Sequence, residues 1–97
     1  MATFVSLINW TEQGIKNFRD TPKRADAFEA LVKERGGSVK SIHWTLGEYD
    51  LIAVSEFPDA ETATATLLQL GSLGNVRSAT LRAFDRAEIE RIINKAG

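Results

Sequence analysis

The chain is expected to fold as an α+β domain of ferredoxin-like β-α-β-β-α-β order. An antiparallel four-stranded sheet would carry both main helices on one face, with an extra helix at the C-terminal end. Three observations predict this. Four runs rich in β-branched and aromatic residues alternate with helical stretches in that order. The middle two runs are joined by little more than Gly47-Glu48, which makes them a hairpin. With 97 residues there is room for one hydrophobic core, so residues 1–97 are read as a single domain.

Thr3 to Trp10 is the first strand. Phe4, Ser6, Ile8 and Trp10 share one side and Val5, Leu7 and Asn9 the other, so a central strand covered on both faces fits best. Thr11 can cap a short helical turn from Glu12, with Ile15 and Phe18 as its apolar positions. Thr21-Pro22 then signals a helix start, a hydroxyl cap followed by proline where a missing N–H costs nothing. Ala25, Phe28, Leu31 and Val32 form its apolar stripe, and Gly36-Gly37 can end it in the left-handed conformation. The crossover from Thr11 to Ser38 is long for one helix, and a joint near Asp20-Thr21 accounts for it.

Val39 to Leu46 and Tyr49 to Phe57 are the second and third strands. Asp59 can cap the next helix, which holds Ala60, Ala63, Leu67 and Leu70. Its threonines Thr62, Thr64 and Thr66 lower its intrinsic propensity, so it must draw stability from packing on the sheet. Gly71 and Gly74 surround its end. Asn75 to Phe84 is the fourth strand, and Asp85 with Glu88 makes a capping box for a last helix carrying Ile89, Ile92 and Ile93.

Composition excludes several function classes. Twelve basic residues against thirteen acidic ones give a net charge of −1, without the basic stripe of a nucleic-acid binder. Lys16, Arg19, Lys23 and Arg24 cluster, but Glu12, Asp20 and Asp26 interleave them, so the cluster is read as a solvated helix surface. There is no cysteine, which removes disulfides, thiolate metal sites and cysteine nucleophiles. No basic segment leads into a long apolar run, and no stretch reaches the length of about 20 apolar residues needed to span a membrane. A cytoplasmic location is the expectation.

If both helices cover one sheet face, the other must be hidden by something else. Whichever alternation set of each strand lies there, it mixes apolar and polar side chains. A monomer seldom leaves such a face wet, so a dimer or a higher assembly of dimers is expected.

His43 is the sole histidine. As a general base or metal ligand it would need Asp50, Glu48 or Glu56 beside it, and no His-x-His or Glu-x-x-His spacing supports a metal. The alternative is a packed or hydrogen-bonded sheet residue. Asp50 either accepts backbone N–H bonds around the Gly47 turn or, with Tyr49, belongs to a ligand site. Arg77 and Arg82 call for carboxylate or anion partners, since a strand arginine is costly to hide alone. Trp10 and Trp44 are core aromatics or the floor of a pocket. The candidate ligand site is thus His43, Tyr49, Asp50 and Arg82 around one cavity at the sheet seam, walled by Trp10 or Trp44. No cofactor and no metal are expected.

The stretch Leu46 to Phe84 resembles the GYD-domain family of small bacterial proteins. The motifs that carry the likeness are Gly47-Glu48-Tyr49-Asp50, the family's namesake with one residue inserted, and Gly71-Ser72-Leu73-Gly74-Asn75-Val76-Arg77. It extends backward to Leu7-Ile8-Asn9-Trp10-Thr11, Gly14 and Thr21-Pro22-Lys23-Arg24. The resemblance implies a ferredoxin-like or dimeric α/β-barrel fold and no established activity. Gly47, Asp50, Gly74, Val76 and Thr80 are also similar in placing to the effector-binding domains of Lrp/AsnC regulators, which bind amino acids between subunits. With no helix-turn-helix, this chain would be a stand-alone version. The expected function is an oligomeric small-molecule-binding or regulatory module. The alternatives are a cofactor-free monooxygenase or isomerase using His43 with Tyr49 or Asp50, or a purely structural assembly unit.

Overall fold

A computed structural model describes residues 1–97. The elements run β1 (Ala2–Trp10), α1 (Glu12–Lys16), a 3-10 turn (Phe18–Asp20), α2 (Thr21–Glu34), β2 (Ser38–Trp44), β3 (Leu51–Phe57), α3 (Ala60–Ser72), β4 (Val76–Ala83) and α4 (Arg86–Ala96). The strands form one antiparallel sheet in the order β2-β3-β1-β4, the ferredoxin-like arrangement expected from the sequence. The first crossover breaks where the sequence asked, at the turn before Thr21.

Register sorts the side chains. Phe4 lies opposite Ser55 and Arg82, Ser6 opposite Ala53 and Thr80, and Ile8 opposite Leu51 and Ser78. These rows face α2 and α3. The core consists of Phe4, Ile8, Phe28, Val32, Leu51, Ala53, Phe57 and Ala63, all buried. Under α3 the filling turns small and polar, with Ser6, Ser55 and Thr66 buried. Ser6 Oγ lies 2.9 Å from Thr80 Oγ1, and Thr66 Oγ1 donates to the Thr62 carbonyl at 2.8 Å. Of the threonines that weaken α3 as an isolated helix, Thr66 is the one buried, its hydroxyl satisfied within its own turn.

The other face carries two apolar rows. One is Val54–Val5–Leu81 and the next Ile52–Leu7–Ala79, running across β3, β1 and β4. Ser41 and His43 of β2 extend these rows at one edge. Beyond them the face is polar: Thr3 with Glu56 toward one end, Asn9 with Arg77 at the other. Lys40, at an irregularity in β2, bridges to Glu56 at 3.1 Å. No helix covers this face, and Leu81 is 51% exposed.

Capping follows the sequence at three helices. The Thr11 hydroxyl accepts from Gly14 N, Asp59 from Thr62 N, and Asp85 and Glu88 form a reciprocal box. Thr21 departs from expectation: it is the first helical residue, and Asp20 precedes it without a side-chain cap. The 3-10 turn supplies the reason, because the Thr21 N–H is already bonded to the Phe18 carbonyl. The β2–β3 connection is also longer than a two-residue turn, since pairing stops at Trp44–Leu51. Gly47 takes φ +113° within it, as a tight reversal requires. No helix is long and apolar enough to cross a membrane.

Candidate functional site

Four side-chain hydrogen bonds between residues forty or more positions apart gather where β1 ends. Asp50 continues the sheet past β3: its N–H donates to the Ile8 carbonyl at 2.9 Å, and its Oδ2 accepts from Trp10 N at 2.9 Å. The Asp50 carbonyl in turn accepts from Thr45 N at 2.8 Å. From the other side, Thr11 N donates to the Asn75 carbonyl at 3.0 Å and Thr11 Oγ1 to the Gly74 carbonyl at 2.5 Å. Gln13 Nε2 reaches the Leu73 carbonyl and Asn75 Oδ1. Gly14 lies so close to this turn that a Cβ on it would stand 2.0 Å from the Asn75 carbonyl oxygen. Only glycine fits there.

The two motifs that carry the family resemblance therefore meet at Trp10-Thr11, and they meet as structure. Asp50 does accept a backbone N–H, but the donor is Trp10 rather than the Gly47 turn. Gly74, at φ +84°, lets the chain reverse from α3 into β4.

Beneath this corner, between the sheet and helices α2 and α3, is a small cavity of about 50 Å³. Its walls include Trp10, Phe28, Ile42, Leu51, Leu70 and Val76. Two polar residues reach it, Thr21 and Arg24. The Thr21 hydroxyl accepts from Trp44 Nε1 at 3.0 Å. Arg24 Nη2 donates to the carbonyls of Gly14 at 3.1 Å and Asn17 at 2.8 Å. Arg24 Nε and Nη1 are buried with no protein acceptor in reach.

The residues expected around one cavity are not brought together. His43 stands exposed on the open face opposite Ile52, whereas Arg82 stands on the helix face opposite Phe4, at the far edge of the sheet. A single pocket holding both is excluded by sheet geometry, since alternate residues point to opposite sides. Arg82 pairs within its own chain, with Glu88 at 3.1 Å, and lies over the rings of Phe84 and Phe4. It edges an open groove of about 680 Å³ between α3 and β4, beside Phe4, Leu68 and Thr80. Arg77 falls on the open face opposite Asn9, away from Arg82. Tyr49 is half-buried, and its carbonyl accepts from the Thr45 hydroxyl. Of the six expected residues, only Trp10 lines the cavity below the corner. Trp44 reaches it indirectly, through Thr21.

Arg24 is the residue that sequence reasoning missed, by placing it on a solvated surface. A signal was present. Arg24, Phe28 and Val32 are spaced four apart, which puts the arginine on the helix side that carries the core.

Two carboxylates have lowered pKa values, the α3 cap Asp59 and Glu88 of the α4 capping box. The Thr62 backbone N–H holds Asp59 below the usual range, helped by the Thr62 side chain. Glu88 is lowered by the Asp85 N–H first and by Arg82 second.

The strand order and helix placement define a ferredoxin-like α+β domain with one sheet face left uncovered. Comparison makes the assignment specific. The GYD-domain family profile matches residues 4–93, and the chain belongs to the GYD-domain family. It is 32% identical over 90 residues to the "Glutamine synthetase and cystathionine beta-lyase binding protein" of Thermus thermophilus. That match covers 92% of this chain and 95% of the relative. A crystal structure of TTHA0845, also from Thermus thermophilus, superposes with a TM-score of 0.57 at 28% identity, over 88% of this chain and 95% of that one. The leucine response regulatory protein LrpA of Mycobacterium tuberculosis gives a TM-score of 0.65 at 17% identity, over 87% of this chain and 51% of that one. FFRP-DM1 gives 0.62 at 20% identity, over 87% of this chain and the whole of the other. These last two share the fold.

Proposed function

We propose that the protein is a self-pairing regulatory module of the cytoplasm that acts by binding another protein. The observation that carries this is the uncovered sheet face, with two apolar rows centred on Val5 and Leu7 and a polar margin. Stacking two such faces about a two-fold axis would bury Val5, Leu7, Ile52, Val54 and Leu81 against their own equivalents. His43 would then sit at the rim of the seam.

The name of the Thermus relative supports the second half of the reading, because 32% identity runs over nearly the full length of both chains. The surface left over after pairing offers an anchor. α4 stands away from the body, with every residue except Glu88 exposed and Ile93 at 60%. Its isoleucines form one stripe on a helix whose other side is charged.

Light scattering at micromolar concentration should return twice the 10.7 kDa chain mass or an even multiple of it. A monomer would overturn the pairing. Native mass spectrometry with purified glutamine synthetase and cystathionine beta-lyase should show a complex with at least one, weakened by Ile92→Asp. Neither enzyme binding would overturn the docking.

A further inference from the structure

We infer that the open groove between α3 and β4 receives the isoleucine stripe of α4 from a second copy of the chain. The exchange uses the side of the molecule opposite the proposed sheet seam. It also bears on the docking reading, because another protein would have to displace the exchanged helix. Its test needs this chain alone, so the two stand or fall separately.

The groove has the form of a seat for a helix. On the helix face of β4, Ser78 is exposed and Thr80 half-buried, and with Phe4 they make the floor. The wall is one flank of α3, where Thr64, Leu68 and Ser72 recur every four residues. A strand floor beside a helix wall is where a further helix lies in a helix-on-sheet layer. Thr64 and Ser72 are small enough to let its axis come close, and Leu68, 71% exposed, is the side chain it would cover. Arg82 is the one charged residue lining the groove, and it is already paired with Glu88. The occupant must therefore present an apolar, uncharged face.

α4 is a helix of that kind without a seat. Ile89, Ile92 and Ile93 are all exposed, and no residue of the helix is buried. The helix projects from the body. The radius of gyration is 14.5 Å, where a compact chain of this length has about 12.5 Å, and the longest extent is 50 Å. The first turn of α4 is held by the Glu88–Arg82 pair and the Asp85–Glu88 box, and turning the helix back onto its own groove would break those contacts. A second copy can enter with both intact. Since each copy carries arm and groove alike, the contact is self-complementary and can be made twice about a two-fold axis. Three isoleucines and a leucine are a smaller apolar surface than the two rows of the open sheet face, so the exchange should form at higher concentration than the seam.

The test is intermolecular line broadening by NMR. The chain has no cysteine, so Asn94→Cys gives a single nitroxide site, off the isoleucine stripe of α4. Nitroxide-bearing chain is mixed with isotope-labelled wild type at high micromolar concentration, and any broadening then crosses between copies. Amides of Leu68, Ser72 and Thr80 should lose at least half their intensity, while those of Glu29 and Lys33 on α2 keep theirs. Leu68→Asp in the isotope-labelled copy should restore Ser72 and Thr80, and Ile93→Asp in the nitroxide copy should do the same. Intact groove signals in the wild-type mixture overturn the proposal. So does broadening that survives both substitutions or that spreads equally to α2. Groove broadening found only when nitroxide and isotope share one chain also overturns it, by placing α4 on its own groove.

Discussion

The end of β1 and the open face of the sheet are built from the same strands on opposite plans. At the corner, Asp50 bonds the backbone of Ile8 and Trp10, Thr11 and Gln13 bond the turn at Gly74 and Asn75, and glycine at position 14 allows contact too close for any side chain. On the open face, Val5, Leu7, Ile52, Val54 and Leu81 have neighbours in the sheet and nothing above them. One region is complete within the chain. The other is left uncovered by it, and the proposed pairing is what would complete it. Changes at the corner should therefore act on folding, and changes on the face should act on association.

The largest effect is expected at Gly14. Gly14→Val must push the Asn75 carbonyl away from a position 2.0 Å from the new Cβ, which displaces α1 or the α3–β4 turn. A loss of about 3 kcal/mol or more is expected from such overpacking, read from urea denaturation. A loss below about 1 kcal/mol would mean that the corner is softer than its geometry.

Leu7→Lys is the matching change on the open face, flanked by Ile52 and Ala79. In the proposed pairing it puts a charge at the centre of a two-fold seam, two in each dimer. Association should weaken at least about a hundredfold, while the stability of the dissociated chain changes by less than about 1 kcal/mol. Concentration-dependent light scattering and urea denaturation separate the two quantities. If Leu7→Lys unfolds the chain while the dimer of surviving molecules persists, the division between the two regions fails.

How far the sequence reveals each region follows from the same contrast. Strand order, the broken crossover, three of four caps and the uncovered face were legible because periodicity and capping act over neighbouring residues. Gly47 was legible too, as a glycine in a reversal. What was not legible is where distant loops meet. Nothing local to Asp50 says that its carboxylate accepts from Trp10, forty residues away. The site expectation failed for a related reason: His43 and Arg82 each sit at a plausible position, and only the register decides that they face opposite ways. Arg24 was hidden by its company, since charged neighbours on the same helix suggested solvent.

Asp50→Ala should cost about 1–2 kcal/mol by leaving the Trp10 N–H without its acceptor. Asp50→Asn, which keeps an acceptor oxygen, should recover part of that. Equal losses in both variants would mean that the charge, rather than the hydrogen bond, holds the corner. Gly47→Val should cost about 1 kcal/mol from backbone strain alone, because a Cβ there meets nothing within 4 Å. An unchanged melting temperature would place the strain in a loop that relaxes freely.

The smallest effect separates a packed helix from an unpacked one by pH. Asp59 at α3 and Glu88 at α4 both have folded-state pKa values below the ordinary carboxylate range. A depressed pKa means that the folded state holds the ionised form more tightly than the unfolded chain does. The resulting stabilisation is therefore full above the unfolded value, about pH 4, and is lost as the pH falls through the folded value. Protonation removes the Asp59 cap of α3 and the Glu88 half of the α4 capping box, but the two helices should not respond alike. α3 buries Ala63 and Thr66 against the sheet and should stay helical. α4 buries no residue and also loses the Glu88 link to Arg82, so it should fray first. Carbon chemical shifts of Ile89 and Ile92, set against those of Ala63 and Leu67 through the titration, make the comparison. Movement toward coil values in α4 alone is the expected outcome. Helices that melt together would show that α4 is held by more than its cap, and a partner subunit lying over its isoleucine stripe is what could hold it.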